Sequence, residues 1–188
     1  MTQIVFLDTD VILDYLENRD KEVRDTVAQL LLLHKKGRVI LATSIFNIAE
    51  LIDKELEIHF FGWCINERMS YDEVINKRHR DKELFKKVSK GNKNKVEDNI
   101  KKFIIDNDIR ILYLCNEENN EKIHELIYER NLRSQDALIV TTAITNNATY
   151  FLSNDRDLTN EISDLLNTYN LRNKDQRKEF HDSVLEAI

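Results

Sequence analysis

Residues 3–7 read Gln-Ile-Val-Phe-Leu, and the run stops abruptly on Asp8-Thr9-Asp10. Four consecutive large apolar residues leave no face for water, so they predict a strand covered on both sides, as in the middle of a parallel sheet. In open α/β sheets the crevice lies beyond the carboxyl ends of the strands, so the two acids emerge where ligands bind. Val11-Ile12-Leu13-Asp14-Tyr15-Leu16 returns to helical spacing, which makes the segment a strand, a tight turn and a helix. One acid at that turn is explained by helix capping. A pair of acids is harder to explain, because neighbouring carboxylates repel unless a cation lies between them.

A chain of 188 residues, 41% hydrophobic and 33% charged, fits one compact domain or one domain with an inserted lobe. The net charge of −6 argues against a protein that coats nucleic acid indiscriminately. The charge is segregated, however. Residues 66–102 hold twelve Lys/Arg against seven Asp/Glu, and the remainder holds 16 against 27. No apolar stretch is long enough to span a bilayer, and no basic, signal-like N-terminal segment is evident, so a cytoplasmic protein without membrane association is expected. Cys64 and Cys115 lack CxxC spacing and are expected as reduced thiols, and the five histidines do not cluster at ligand spacing. Proline is absent and glycine occurs three times, which predicts a helix-rich chain without flexible linkers.

Along the chain, residues 21–36 form a strong helix that Gly37 stops, and residues 38–42 form a second apolar strand. A helix from Ser44 to about Phe60 carries Ile45, Ile48, Leu51 and Ile52 inward and Glu50 among them. Residues 66–96 become polar and basic, a helical excursion with a turn expected at 91–94. Between residues 77 and 95 nine cations face two acids. Such density neutralises phosphates, although charge runs are commonly just solvated helix faces. Residues 109–114 read as a third strand and 116–131 as a helix. A further helix follows from Ser134, the expected cap, with Asp136 in its first turn, and 150–153 form a fourth strand ending in Asn154-Asp155-Arg156-Asp157. Residues 158–188 read as helical, with Phe180, Val184 and Ile188 on one stripe.

Each acid alone has a structural explanation, but a parallel sheet with right-handed crossovers sends all of them to the same edge. A cup of four to six carboxylates, with Arg156 as the one cation among the motif neighbours, needs divalent ions, and oxygen donors suit Mg²⁺ or Mn²⁺. Such ions activate water and clamp a phosphodiester for in-line attack.

Phe6-Leu7-Asp8-Thr9-Asp10-Val11-Ile12-Leu13, Ser44-Ile45-Phe46-Asn47-Ile48-Ala49-Glu50-Leu51, Ser134-Gln135-Asp136-Ala137-Leu138-Ile139 and Phe151-Leu152-Ser153-Asn154-Asp155-Arg156-Asp157-Leu158 resemble, in order, the four acidic motifs of PIN domains. The likeness is strongest to VapC-like toxin ribonucleases. The resemblance implies an α/β fold with a central parallel sheet of four to five strands and helices on both faces. It makes Asp8, Glu50, Asp136 and Asp155 the catalytic, Mg²⁺- or Mn²⁺-binding quartet, with Asp10, Ser153 and Asp157 auxiliary. It further implies a single-stranded RNA endonuclease, commonly a homodimer, restrained by a small antitoxin. Lys77, Arg78, Arg80, Lys86, Lys87 and Lys90 are the candidate RNA-binding residues. The division expected is a PIN-like catalytic domain over 1–160, including the excursion at 66–102, and a C-terminal helical extension over 161–188. Asp10 stands where the family more often has Asn or Ser, and the basic lobe and tail lengthen the chain beyond a minimal toxin. An RNA-binding or RNA-processing factor that is not a toxin therefore stays open. So does a haloacid-dehalogenase-like phosphatase with Asp8 as nucleophile and Ser44 as the phosphate-binding hydroxyl.

Overall fold

The computed structural model describes residues 2–80, 87–114 and 119–185, with the side chains of residues 79 and 80 excepted. Five strands, β1 (Gln3–Leu7), β2 (Val39–Ser44), β3 (Arg110–Leu112), β4 (Tyr150–Ser153) and β5 (Asn167–Asn170), form one parallel sheet in the order β3-β2-β1-β4-β5. Because β1 is central and flanked by β2 and β4, the direction of winding reverses there, and the crevice opens at its carboxyl end.

The apolar run of β1 is buried on both faces, as its composition requires. Val5 and Leu7 point into one core with Leu41 and Leu152, while Phe6 points into the other with Ala42 and Phe151. Phe6 and Phe151 stack at 5.2 Å between ring centroids, tying β1 to β4. Each such fully buried side chain contributes about 1.5–3 kcal/mol, so the sheet centre carries a large share of the stabilising burial.

The first face is covered by α1 (Thr9–Leu16), α2 (Lys21–Lys35), α3 (Ile45–Asn66) and α5 (Lys90–Asp106). The second is covered by α6 (Asn119–Tyr128), α7 (Ser134–Thr145) and α8 (Arg156–Glu161). Gly37 ends α2 with φ of 70°, where its amide donates to His34 O at 2.8 Å. That left-handed backbone favours glycine. Between α3 and α5 lies α4 (Tyr71–Arg80). Among the described residues no helix is long and apolar enough to cross a membrane.

Three local expectations are corrected. Residues 91–94 are not a turn but the first turns of α5, whose start is set by Ser89, its hydroxyl accepting from Asn92 N at 3.1 Å. Ser134 is not a cap; Arg133 occupies the cap position and makes no side-chain cap bond. The stretch 158–188 is not helical throughout. It supplies β5, then α9 (Lys174–Phe180) and a π-helical turn at His181–Leu185. Asn167-Thr168-Tyr169-Asn170 pairs with β4, and that pairing overrides the helical reading of the segment. Phe180 and Val184 do bury themselves, against the first core. Cys64 is a buried free thiol, whereas Cys115 lies outside the described residues.

Candidate active site

Asp8, Asp10, Glu50, Asp136 and Asp155 line one cavity of about 90 Å³ at the carboxyl edge of the sheet, with Thr9, Leu13, Lys54 and Leu158. Four separate segments deliver these acids. Asp8 is the cap of α1 at the end of β1, and its carboxylate accepts from Thr9 N at 2.8 Å. Capping and crowding therefore coexist. Asp10 lies in the first turn of α1, Glu50 in the second turn of α3, Asp136 in the first turn of α7, and Asp155 caps α8 after β4.

Hydrogen bonds set the direction of these carboxylates. Asp8 Oδ1 also accepts from Asn47 Nδ2 at 2.8 Å, and Oδ2 accepts from Ser153 Oγ at 2.7 Å. Thr9 Oγ1 donates to Glu50 Oε2 at 2.7 Å. Asp10 accepts the Asn154 amide at 3.0 and 3.1 Å. Asp155 Oδ1 accepts from Asp157 N and Leu158 N at 2.9 and 3.1 Å. Among the described residues no hydrogen bond reaches the carboxylate of Asp136.

The crowding has an electrostatic cost. Burial, then the charge of Asp10, pushes the Asp8 carboxyl well above its ordinary value against the hydrogen bond from Ser153. Burial likewise raises Asp10 to about 6, with Asp14 adding to the effect and the Asn154 amide opposing it. Asp136 is raised by burial and by the charges of Glu50 and Asp155. Uncompensated negative charge in a confined site raises carboxyl pKa values in this way.

Among the described residues no group of three or more His, Cys, Asp or Glu side chains is already gathered as a cage for an ion. The acids share a cavity wall without being drawn around one point. The donor set itself fits a hard divalent cation. It is made mainly of carboxylate oxygens, with Asp136 not engaged in a hydrogen bond among the described residues and Asp155 using one oxygen for its cap.

The remaining expected residues fall out unevenly. Ser153 is fully buried and holds Asp8, while Asp157 is exposed and lies outside the cavity lining. Arg156 is exposed and also absent from the lining. Lys54 also lines the cavity, a cation that the motif pattern did not single out, while Arg133 and Arg172 act on Asp136 and Asp10 by their charge. Lys54 sits four residues after Glu50, so α3 presents both on one face. Asn47 was also missed as a functional candidate, although its position three residues after Ser44 marks a capping box. Its amide reaches across to Asp8 from that box. Ser44 Oγ is spent on the box as well, accepting from Asn47 N at 3.1 Å, so it is not presented as a phosphate-binding hydroxyl.

In the basic lobe, Lys77 Nζ and Lys87 Nζ lie 5.3 and 5.9 Å from the centroid of the Trp63 ring. Arg78 lies over Phe61 at 5.8 Å and pairs with Glu57 at 2.6 Å. Lys90 is exposed at the first position of α5. Lys86 lies outside the described residues, and so does the side chain of Arg80.

The PIN domain family model matches residues 60–161, more than half of the chain. That span holds Asp136, Ser153, Asp155 and Asp157, while Asp8, Asp10 and Glu50 precede it. Two solved structures share the fold. VapBC-1 from nontypeable Haemophilus influenzae has a TM-score of 0.51 at 20% identity, covering 90% of this chain and 99% of that one. VapBC2 from Rickettsia felis, bound to a DNA fragment from its promoter, has a TM-score of 0.50 at 16% identity, covering 88% and 97%. No curated protein matches the chain.

Proposed function

Since the chain belongs to the PIN domain family, we propose that it is a Mg²⁺- or Mn²⁺-dependent endonuclease of single-stranded RNA, the toxin of a toxin–antitoxin pair. The observation that carries this reading is the meeting of the carboxylates of Asp8, Glu50, Asp136 and Asp155, far apart in sequence, on one cavity wall. Those four residues would hold the ion, which when bound supplies an activated water and a clamp on the scissile phosphate.

The chain's own groups do the rest. Ser153, Asn47 and the Thr9 amide aim Asp8, and the Thr9 hydroxyl aims Glu50, so both acids are oriented before a ligand arrives. Asp10 adds negative charge beside Asp8 and takes the Asn154 amide, an auxiliary role. Lys54 provides a positive charge at the same cavity, suited to a non-bridging phosphate oxygen. About 20 Å further along α3, at the helical rise between Glu50 and Trp63, Lys77 and Lys87 would take flanking phosphates, as would Lys90 at the start of α5. Arg78, paired with Glu57, is less available. Asp157, exposed beyond the cavity, keeps at most the place of a helix-start charge on α8. A homodimer and an antitoxin partner follow from the resemblance to VapC-like toxins, as does a cytoplasmic place of action. On the same reading the catalytic acids fall within 1–160, while residues 161–188 add β5 to the same sheet.

The phosphatase alternative is weakened by the orientation of Ser44 and by the three hydrogen bonds that engage Asp8. Cleavage of mixed single-stranded RNAs by the wild type and Asp8→Asn, each with Mn²⁺ and with EDTA, tests the proposal. Cleavage by the wild type with Mn²⁺ alone supports it. Metal-independent cleavage, or an aspartyl-phosphate formed on Asp8, overturns it.

A further inference from the structure

On the nuclease reading above, we infer that Arg172, carried by the segment after β5, is a positioning residue for the acid site: it pins the buried Asp14, which fixes Asn154 and through it Asp10 and Asp155. Asp14 sits one helical turn after Asp10, and its side chain is 0% exposed. A carboxylate so buried needs a partner. Arg172 supplies one with a two-pronged fork, Nε donating to Oδ2 at 2.9 Å and Nη2 to Oδ1 at 2.7 Å. Asn154 Nδ2 donates to the same Oδ2 at 2.9 Å.

Asn154 is the relay. Its backbone amide holds both oxygens of Asp10, and the next residue, Asp155, donates its own amide to Ser153 Oγ at 3.0 Å, the hydroxyl that holds Asp8. The starting point of the fork is itself fixed. The Arg172 amide donates to Asn170 Oδ1 at 3.0 Å, at the end of β5, and the Arg177 guanidinium donates to Leu171 O at 2.6 Å. The segment following residue 161, where the family match ends, is thus wired into the rim. Lysine at position 172 would keep the charge but not the fork.

The simpler alternative is that the Asp14–Arg172 pair only staples the tail to the body. Mn²⁺ titration calorimetry on the full chain separates the two, alongside thermal melts and hydrogen exchange at the Asn154 and Asp155 amides. In Arg172→Gln the Mn²⁺ Kd is expected to rise about tenfold or more, the range found when groups supporting metal ligands are removed. Arg172→Lys recovers part of that loss. The double variant Asp14→Asn/Arg172→Gln has no unpaired buried charge, so it melts close to the wild type yet still binds Mn²⁺ weakly. A folded double variant with wild-type Mn²⁺ affinity overturns the inference and leaves a staple. A wild type that binds no Mn²⁺ overturns the metal reading instead. In that event the exchange data still decide: faster exchange at both amides in Arg172→Gln supports the wiring, and wild-type protection overturns it.

Discussion

The acids of the rim cluster at strand ends and in the early turns of helices, with Asp8 buried and tied by neutral donors, whereas Lys77 and Lys87 of the basic lobe lie over an aromatic ring. Asp8 is 6% exposed and receives three hydrogen bonds, and its carboxyl is pushed up by burial. Lys77 and Lys87 instead share one ring, Trp63. The contrast teaches that the rim spends stability to hold charge in place, while the lobe offers charge at little structural cost. Exposed cations contribute little to folding and much to long-range attraction of a polyanion.

If that division is right, the largest effect belongs to the rim. Asp8→Asn and Asp155→Asn should each lower metal-dependent RNA cleavage about 1,000-fold, the equivalent of several kcal/mol of transition-state stabilisation. Their melting temperatures without metal should stay level or rise, because like-charge repulsion is relieved. A variant that loses both activity and stability would mean that the acid is structural.

The lobe should respond differently. Charge reversal of Lys77, Lys87 and Lys90 together should weaken RNA binding about 10- to 100-fold and reduce the salt slope by roughly 2, while Mn²⁺ affinity holds. An unchanged salt slope, read by fluorescence anisotropy across a salt series, would reduce the lobe to solvated surface.

Lys54 lies between the two regions in kind, a cation at the acid cavity. Lys54→Met should raise KM for RNA about fivefold, the worth of one fully water-screened charge contact of about 1 kcal/mol. A lower KM would show that Lys54 blocks the site instead.

The smallest effect is on stability against pH. Asp8, Asp10 and Asp136 all hold their protons more tightly in the folded chain than in the unfolded one. For Asp10 this contribution is complete below the ordinary value of 3.8 and is lost as pH rises through about 6. The metal-free protein should therefore melt a few degrees higher at pH 5 than at pH 7.5, at about 2–4 °C per kcal/mol for a chain of this size. Millimolar Mn²⁺ should narrow that difference. Differential scanning calorimetry that finds the reverse order would show that these acids are not crowded.

Much of this was legible in the sequence where chemistry coincides with the ends of strongly patterned elements. The apolar run before Asp8 fixes a central strand, and Phe151-Leu152-Ser153 does the same for the strand before Asp155. β5 was not legible, because Asn167-Thr168-Tyr169-Asn170 is polar and is made a strand by its pairing with β4. Lys54 was hidden among ordinary charged residues of a long helix, and its relation to the acids appears only when α3 is set against the sheet. Arg172 was invisible for the same reason: its partner is 158 residues away, and no local pattern joins them. Asp155 and Asp157 are both exposed, and the sequence does not tell them apart; the cavity lining includes Asp155 and not Asp157.

The central claim is that carboxylates from four segments share a divalent ion. A crystal soaked in Mn²⁺ and measured at the manganese absorption edge tests it directly. The account predicts an anomalous peak in the cavity lined by Asp8, Glu50, Asp136 and Asp155, absent from Asp8→Asn crystals treated alike. A cavity without a peak in the wild type, or a peak that survives Asp8→Asn unchanged, would contradict it.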